Sequence, residues 1–168
     1  EAGSQNMTGV DNTYIGKSAG QNSTGTDNTF IGTEAGRLNG TGYDNTFIGE
    51  EAGESNTSGY DNTYIGEDAG KGQDSTGDYN VFVGGLSGFD QSWVYEYQDL
   101  LDNPGEWNTG VGYSAGNNGT SYGLTTYGAG NTALGANAGN DVGSGNANTS
   151  VGVAAGNNTE AGDGNTFI

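Results

Sequence analysis

The sequence predicts an all-β chain, a parallel β-solenoid (β-roll or β-helix) wound in coils of about 17 residues. Three observations carry that expectation. The stretch TGYDNTFIGEEAG, Thr41 to Gly53, returns almost intact as SGYDNTYIGEDAG, Ser58 to Gly70, after TGVDNTYIGKSAG and TGTDNTFIGTEAG earlier in the chain. Inside each copy, Asn-Thr-(Phe/Tyr)-Ile-Gly is a short β-favouring run bounded by turn residues. The third observation is compositional. Thirty-five glycines and 30% hydrophobic residues in 168 positions would also suit a disordered chain. A disordered chain, however, has no need to return Ile and Asn to fixed positions, whereas a solenoid stacks small cores unit upon unit.

The elements follow in order from the Asn of each repeat: Asn12, Asn28, Asn45, Asn62, Asn80, Asn108, Asn131, Asn148 and Asn165. The intervals between them are 16, 17, 17, 18, 28, 23, 17 and 17 residues. Each Asn opens a predicted strand, and no helical period competes over any useful length. Three positions on stands an aliphatic residue: Ile15, Ile31, Ile48, Ile65, Val83, Val111, Leu134, Val151 and Ile168. A small-residue corner follows, as in Ala19-Gly20, Ala35-Gly36, Ala52-Gly53 and Ala69-Gly70, where Gly accepts a positive φ. Two short strands and two turns per coil would stack with a rise of about 4.8 Å, giving a rod of roughly 40 Å. The chain thus divides into regular coils over 1–88, an aromatic and acidic insert over 89–107, and further coils over 108–168. It starts inside one repeat (Glu1–Gly3) and stops inside another (Gly164–Ile168), which reads as a piece of a longer protein or a processed subunit.

Alternate residues of a strand face opposite ways. Thr and Ile therefore share one face, and Asn and the aromatic column Tyr14, Phe30, Phe47, Tyr64, Phe82 share the other. A strand apolar on both faces is buried on both. One coil has only one inside, so the second face predicts a partner, most simply further copies of the same chain around an axis. The alternative is a single wide coil with the aromatics inside and the Ile column exposed.

Charge narrows the partners. Twenty-one acids against three basic residues give a net charge of −18. Phosphate binding needs Lys and Arg, so no nucleic acid is expected, and an anionic membrane surface is disfavoured for the same reason. No stretch has the length of a transmembrane helix, so the chain is not expected to be membrane-embedded. It has no Cys and no His, which excludes the usual nucleophilic triads and zinc sites.

The motif Asn-Thr-x-Ile-Gly followed by Ala-Gly resembles repeats of phage-tail and bacterial surface fibres, whose NTAIGxxAG-type units often precede a self-cleaving trimerisation chaperone. It is also similar to the head repeats of trimeric autotransporter adhesins. There the resemblance implies a left-handed parallel β-roll with three chains packed together, on the outside of a cell or virion.

Four sets of residues are candidates for chemistry. The insert GFDQSWVYEYQDLLDNPGEW holds both tryptophans and the sole proline. Trp93, Tyr95, Tyr97 and Trp107, with Glu96 and Asp99, have the chemistry of a glycan-binding surface: rings cover apolar sugar faces and acids accept hydrogen bonds from hydroxyls. The same residues could instead pack between subunits or over the coil. Glu96 and Asp99 would be the acid pair of a glycan-degrading tailspike, but acids are abundant throughout the chain. A shorter insert near Ser121 to Tyr127 is its possible neighbour.

The second set is an acidic column, Asp11, Asp27, Asp44 and Asp61, which either sits in Asx-type turns or is bridged by a cation such as Ca²⁺. The Ca²⁺-binding pattern G-G-x-G-x-D is absent. Third, Asn12, Asn28, Asn45 and Asn62 suit a hydrogen-bonded structural ladder beside the structural column Ile15, Ile31, Ile48 and Ile65. Regular Thr columns can also mark an ice-binding face, though each coil here has only one recurrent Thr. Last, sequons begin at Asn6, Asn22, Asn39, Asn56 and Asn118, as chance predicts in a chain so rich in Asn, Ser and Thr. The functional expectation is a non-enzymatic structural and adhesive module of an extracellular fibre or surface adhesin. A subunit of a head-to-tail filament and a glycan-degrading tailspike are the alternatives.

Overall fold

The computed structural model describes residues 1–72, 77–89, 106–116, 128–140, 145–157 and 162–168. The insert residues 90–105 and the second insert at Ser121 to Tyr127 lie outside the described residues. Among those described there is no helix, and nine short strands form one parallel sheet in chain order. They are β1 (Thr13–Ile15), β2 (Thr29–Ile31), β3 (Thr46–Ile48), β4 (Thr63–Ile65), β5 (Val81–Val83), β6 (Thr109–Val111), β7 (Thr132–Leu134), β8 (Thr149–Val151) and β9 (Thr166–Phe167). The fold is the β-solenoid that the repeat predicts, one coil to each copy of the motif.

Register follows the motif without slipping. Thr13 pairs with Thr29, Tyr14 with Phe30 and Ile15 with Ile31, and the same three columns continue upward. The 28-residue interval between Asn80 and Asn108 closes in the same register, with Val81 opposite Thr109 and Val83 opposite Val111. The sheet therefore continues in register from β5 to β6 across that longer interval.

The aromatic column is the core. Phe30, Phe47 and Tyr64 are wholly buried, and Phe82 nearly so. Successive rings stack at centroid distances of 5.4, 4.9, 4.8 and 5.4 Å from Tyr14 to Phe82. In β6, β7 and β8 the column shrinks to Gly110, Ala133 and Ser150, before Phe167 returns a ring in β9. At Gly110 a Cβ would meet the Ala115 carbonyl, the Phe82 ring and the Ser87 hydroxyl, each at 2.9 Å, so this position has no room for a side chain. The core thus is aromatic from β1 to β5 and small from β6 to β8.

The coil does not contain the expected second strand: opposite the sheet, the described residues form turns and one isolated bridge at Asn56. The physical reason is backbone handedness. Glu51 (φ 55°) and Gly53 (φ 57°) lie in the left-handed region on either side of Ala52, so the chain turns where a strand would have to extend. Gly53 is further constrained because a Cβ there would come within 2.6 Å of the Phe47 ring. The corner is nonetheless hydrogen-bonded from coil to coil, Gly36 N–H donating to the Ala52 carbonyl and Gly53 N–H to Ala69, each at 2.9 Å.

Candidate functional site

Within each coil, the strand sets Asn and the aromatic ring inward, and Thr and the aliphatic residue outward. The inward Asn side chains form one continuous ladder. Asn28 N–H donates to the Asn12 side-chain oxygen at 2.9 Å, and the step repeats through Asn45, Asn62, Asn80, Asn108, Asn131, Asn148 and Asn165. Several of these amides also donate outward from the ladder: Asn12 to the Gly25 carbonyl, Asn28 to Gly42, Asn45 to Gly59, Asn62 to Gly77 and Asn131 to Gly145, at 2.8–2.9 Å, whereas the Asn108 and Asn148 side-chain nitrogens are buried without a partner among the described residues. The accepting oxygen recurs at every step of the ladder, and an amide can add a donated bond from the same side chain, which suits Asn to the position.

A second ladder runs beside it. Asn39 donates to the Gly42 carbonyl at 2.8 Å and to the Ser23 hydroxyl at 3.1 Å, while its oxygen accepts from Asn56 at 2.6 Å. The Asn-x-x-Gly spacing of Asn39-Gly42 and Asn56-Gly59 is the sequence signal for it. Asn39 and Asn56 are wholly buried, so neither sequon could carry a glycan in the folded chain. The sequon at Asn118 lies outside the described residues.

The acidic column Asp11, Asp27, Asp44 and Asp61 lies exposed at the entry to each strand. All four residues have φ between 53° and 57°. Asp tolerates this left-handed conformation better than most residues with a Cβ. The N–H groups of Asp27, Asp44 and Asp61 donate to Val10, Thr26 and Tyr43 carbonyls one coil below. The same corner is Gly130, Ala147 and Gly164 in the upper coils, so the backbone conformation, rather than the charge, is what recurs. Among the described residues, no three acidic side chains come together as a metal-holding group.

At two coils the same left-handed corner is occupied by a large ring: Tyr79 (φ 60°) and Trp107 (φ 65°). With Tyr43 and Tyr60 they form an outer aromatic pile. Tyr43 stacks on Tyr60 at 4.7 Å, Tyr60 meets Tyr79 edge-on at 5.2 Å, and Tyr79 stacks on Trp107 at 4.3 Å. Asp78 lies against it, its carboxylate accepting the Tyr60 N–H at 3.0 Å. Burial raises the Asp78 carboxyl above its ordinary range, against the hydrogen bonds from Tyr60. A hydrogen bond with Tyr79 raises the Tyr60 phenol, with the Asp78 charge adding to it.

This pile was not evident from the sequence, because its rings come from two different positions of the repeat. Of the residues assigned to glycan contact, only Trp107 is described, and it belongs to the pile. Trp93, Tyr95, Glu96, Tyr97 and Asp99 lie outside the described residues. Stacked rings cover one another's faces, which are the surfaces a sugar ring needs, so the pile offers mostly edges.

On the opposite, turn side of the coils, a set of ion pairs spans the stack. Arg37 pairs with Glu34 at 3.2 Å and more closely with Glu54. Lys71 pairs closely with Glu51, with Asp68 at 3.0 Å and with Glu54 at 3.8 Å. Two of the chain's three cations thus bind together acids from successive coils.

The outward face of the sheet carries the Thr and aliphatic columns and no charged side chain in either. Its aliphatic residues are exposed or half-buried in the single chain, Ile15 being 58% exposed and Val111 40%, with Ile31, Ile48 and Val83 half-buried. Of the two arrangements open from the sequence, the single chain has the aromatics inside and the Ile column outside. Compared with known proteins, the chain matches no family model, no curated protein and no solved structure. No helix among the described residues is long and apolar enough to cross a membrane.

Proposed function

We propose that this chain is a structural and adhesive module of an extracellular fibre or surface adhesin, in which three copies pack their solenoids side by side. The observation that supports this reading is the outward sheet face. On a chain of net charge −18, two in-register columns of Thr, Ile, Val and Leu run the length of the sheet without one acid. Like-charged chains can approach closely only where charge is absent. The chain's own core is complete without this face, so covering it would add to the stability of the assembly and not of the coil. The ladders give each coil a fixed rise, which suits a stiff shaft. The insert over 89–107 would carry ligand or inter-chain contacts, with a surface glycan as the ligand class and no catalysis.

The reading is tested by gel filtration with light scattering. The wild type is expected at three times the chain mass, and Ile48→Asp with Ile65→Asp is expected at one, with unchanged far-ultraviolet circular dichroism. A folded wild-type monomer would remove the proposal. Fibres tens of subunits long on microscope grids would favour a head-to-tail filament instead.

A further inference from the structure

Self-association through repeated coils raises a difficulty that the structure also answers. A sheet face that repeats at every coil makes nearly the same contacts when one copy slides along another by a whole coil, about 4.8 Å. Thr and aliphatic columns therefore bring copies together but leave their register open. Some feature that occurs once along the stack has to choose among the positions.

Coils β5 and β6 carry such a feature. Val81 is the one outward strand position of its column that is not Thr. Two residues before Val81 and two before Thr109, the corner holds Tyr79 and Trp107 instead of the Asp, Gly or Ala of the other coils. A large ring at positive φ is strained, and such strain persists where the surroundings or a function require it. Stacking of Tyr79 on Trp107 covers one face of each ring, yet Trp107 remains 59% exposed and Tyr43, at the other end of the pile, 41%.

Area points the same way. The sheet face, nine strands at about 4.8 Å by three residues at about 3.3 Å, offers roughly 400 Å². That is about half of the roughly 800 Å² per partner found in stable interfaces. A stable contact has to reach past the two columns, and the pile borders them at the strand entry.

We propose that the outer aromatic pile Tyr43–Tyr60–Tyr79–Trp107, together with Val81, is the surface that fixes the register between copies of this chain. The inference rests on the self-association proposed above. The partner is a second copy, which meets the pile once along its length.

The chain has no Cys, so introduced cysteines report register directly. Chains carrying Thr29→Cys and chains carrying Thr63→Cys are mixed and oxidised. These positions are two coils apart, roughly 10 Å. A disulfide needs Cα atoms closer than about 7 Å, so it joins unlike chains only if they have slipped.

In the wild-type background, like-with-like disulfides are expected at least tenfold in excess over mixed ones. The variant Tyr79→Gly, Val81→Thr, Trp107→Gly restores residues that other coils use at these positions, so its coil is expected to fold. In it the mixed disulfides should rise to within threefold of the like pairs, the assembly mass staying unchanged. The same disulfide ratio in both backgrounds would overturn the proposal, as would a folded variant that no longer assembles, since the pile would then be an adhesive contact only. A wild type that is monomeric instead removes the underlying self-association, and light scattering on the same samples separates that outcome.

Discussion

At the scale of single residues, the inward Asn is the position where the repeat has least freedom. Asn45 accepts from the Asn62 N–H and donates to the Gly59 carbonyl, and it is wholly buried. Asn45→Ala leaves the Asn62 N–H without its bond in a dry interior, a loss of about 1–3 kcal/mol, while the Gly59 carbonyl keeps the bond from Asn56. Urea denaturation should therefore show a clear fall in midpoint, with little change in slope. Asp78 tests the opposite case, a charge the fold holds at some expense. Its folded pKa is raised by burial, so the folded chain binds that proton more tightly than the unfolded chain does. Its destabilising contribution is present above the folded pKa and fades as pH falls through it. Asp78→Asn keeps an oxygen for the Tyr60 N–H and removes the charge. The variant is expected to be more stable than wild type at pH 7, with the difference vanishing in acid, as thermal melts across pH would record.

At the scale of the coil, the two faces of one strand have different tasks, and neighbouring residues separate them. Phe47 stacks between Phe30 and Tyr64 with no exposure, whereas Ile48 lies on the outward face. Phe47→Ala should cost the single chain about 3–5 kcal/mol, the usual range for deleting a buried ring. Ile48→Ala should cost the isolated coil far less and show itself in the mass of the assembly. Chemical denaturation and light scattering on the same two variants separate the roles. The turn side obeys a further constraint. Residues on both sides of each corner Ala sit at positive φ, so the coil closes without a second strand and stays narrow.

For the molecule as a whole, strand contacts among the described residues run between neighbouring coils, so stability accumulates along the stack as in a one-dimensional array. The coils of β6, β7 and β8 lack the aromatic column and are expected to be the weaker part of that array. A net charge of −18 works against the compact state throughout. Added salt screens that repulsion, the Debye length falling to about 3 Å at 1 M. Melting temperature is therefore expected to rise between low salt and 0.5 M sodium chloride, despite some weakening of the Arg37 and Lys71 ion pairs. A fall over that range would show that the ion pairs outweigh the general repulsion.

The sequence by itself determined the solenoid, the strand positions and the in-register columns, because a period that returns Asn, an aromatic and Ile to fixed places admits only stacking of like on like. It also marked the Asn positions as a ladder, since one amide can both accept and donate. The direction each column faces was decided only in three dimensions: Thr-Phe-Ile is apolar both ways, and local pattern cannot say which side becomes the inside. The outer pile belongs to the tertiary structure for the same reason. Tyr60 and Tyr79 occupy different places in the repeat, and only the winding of the coil brings their rings within 5.2 Å of each other.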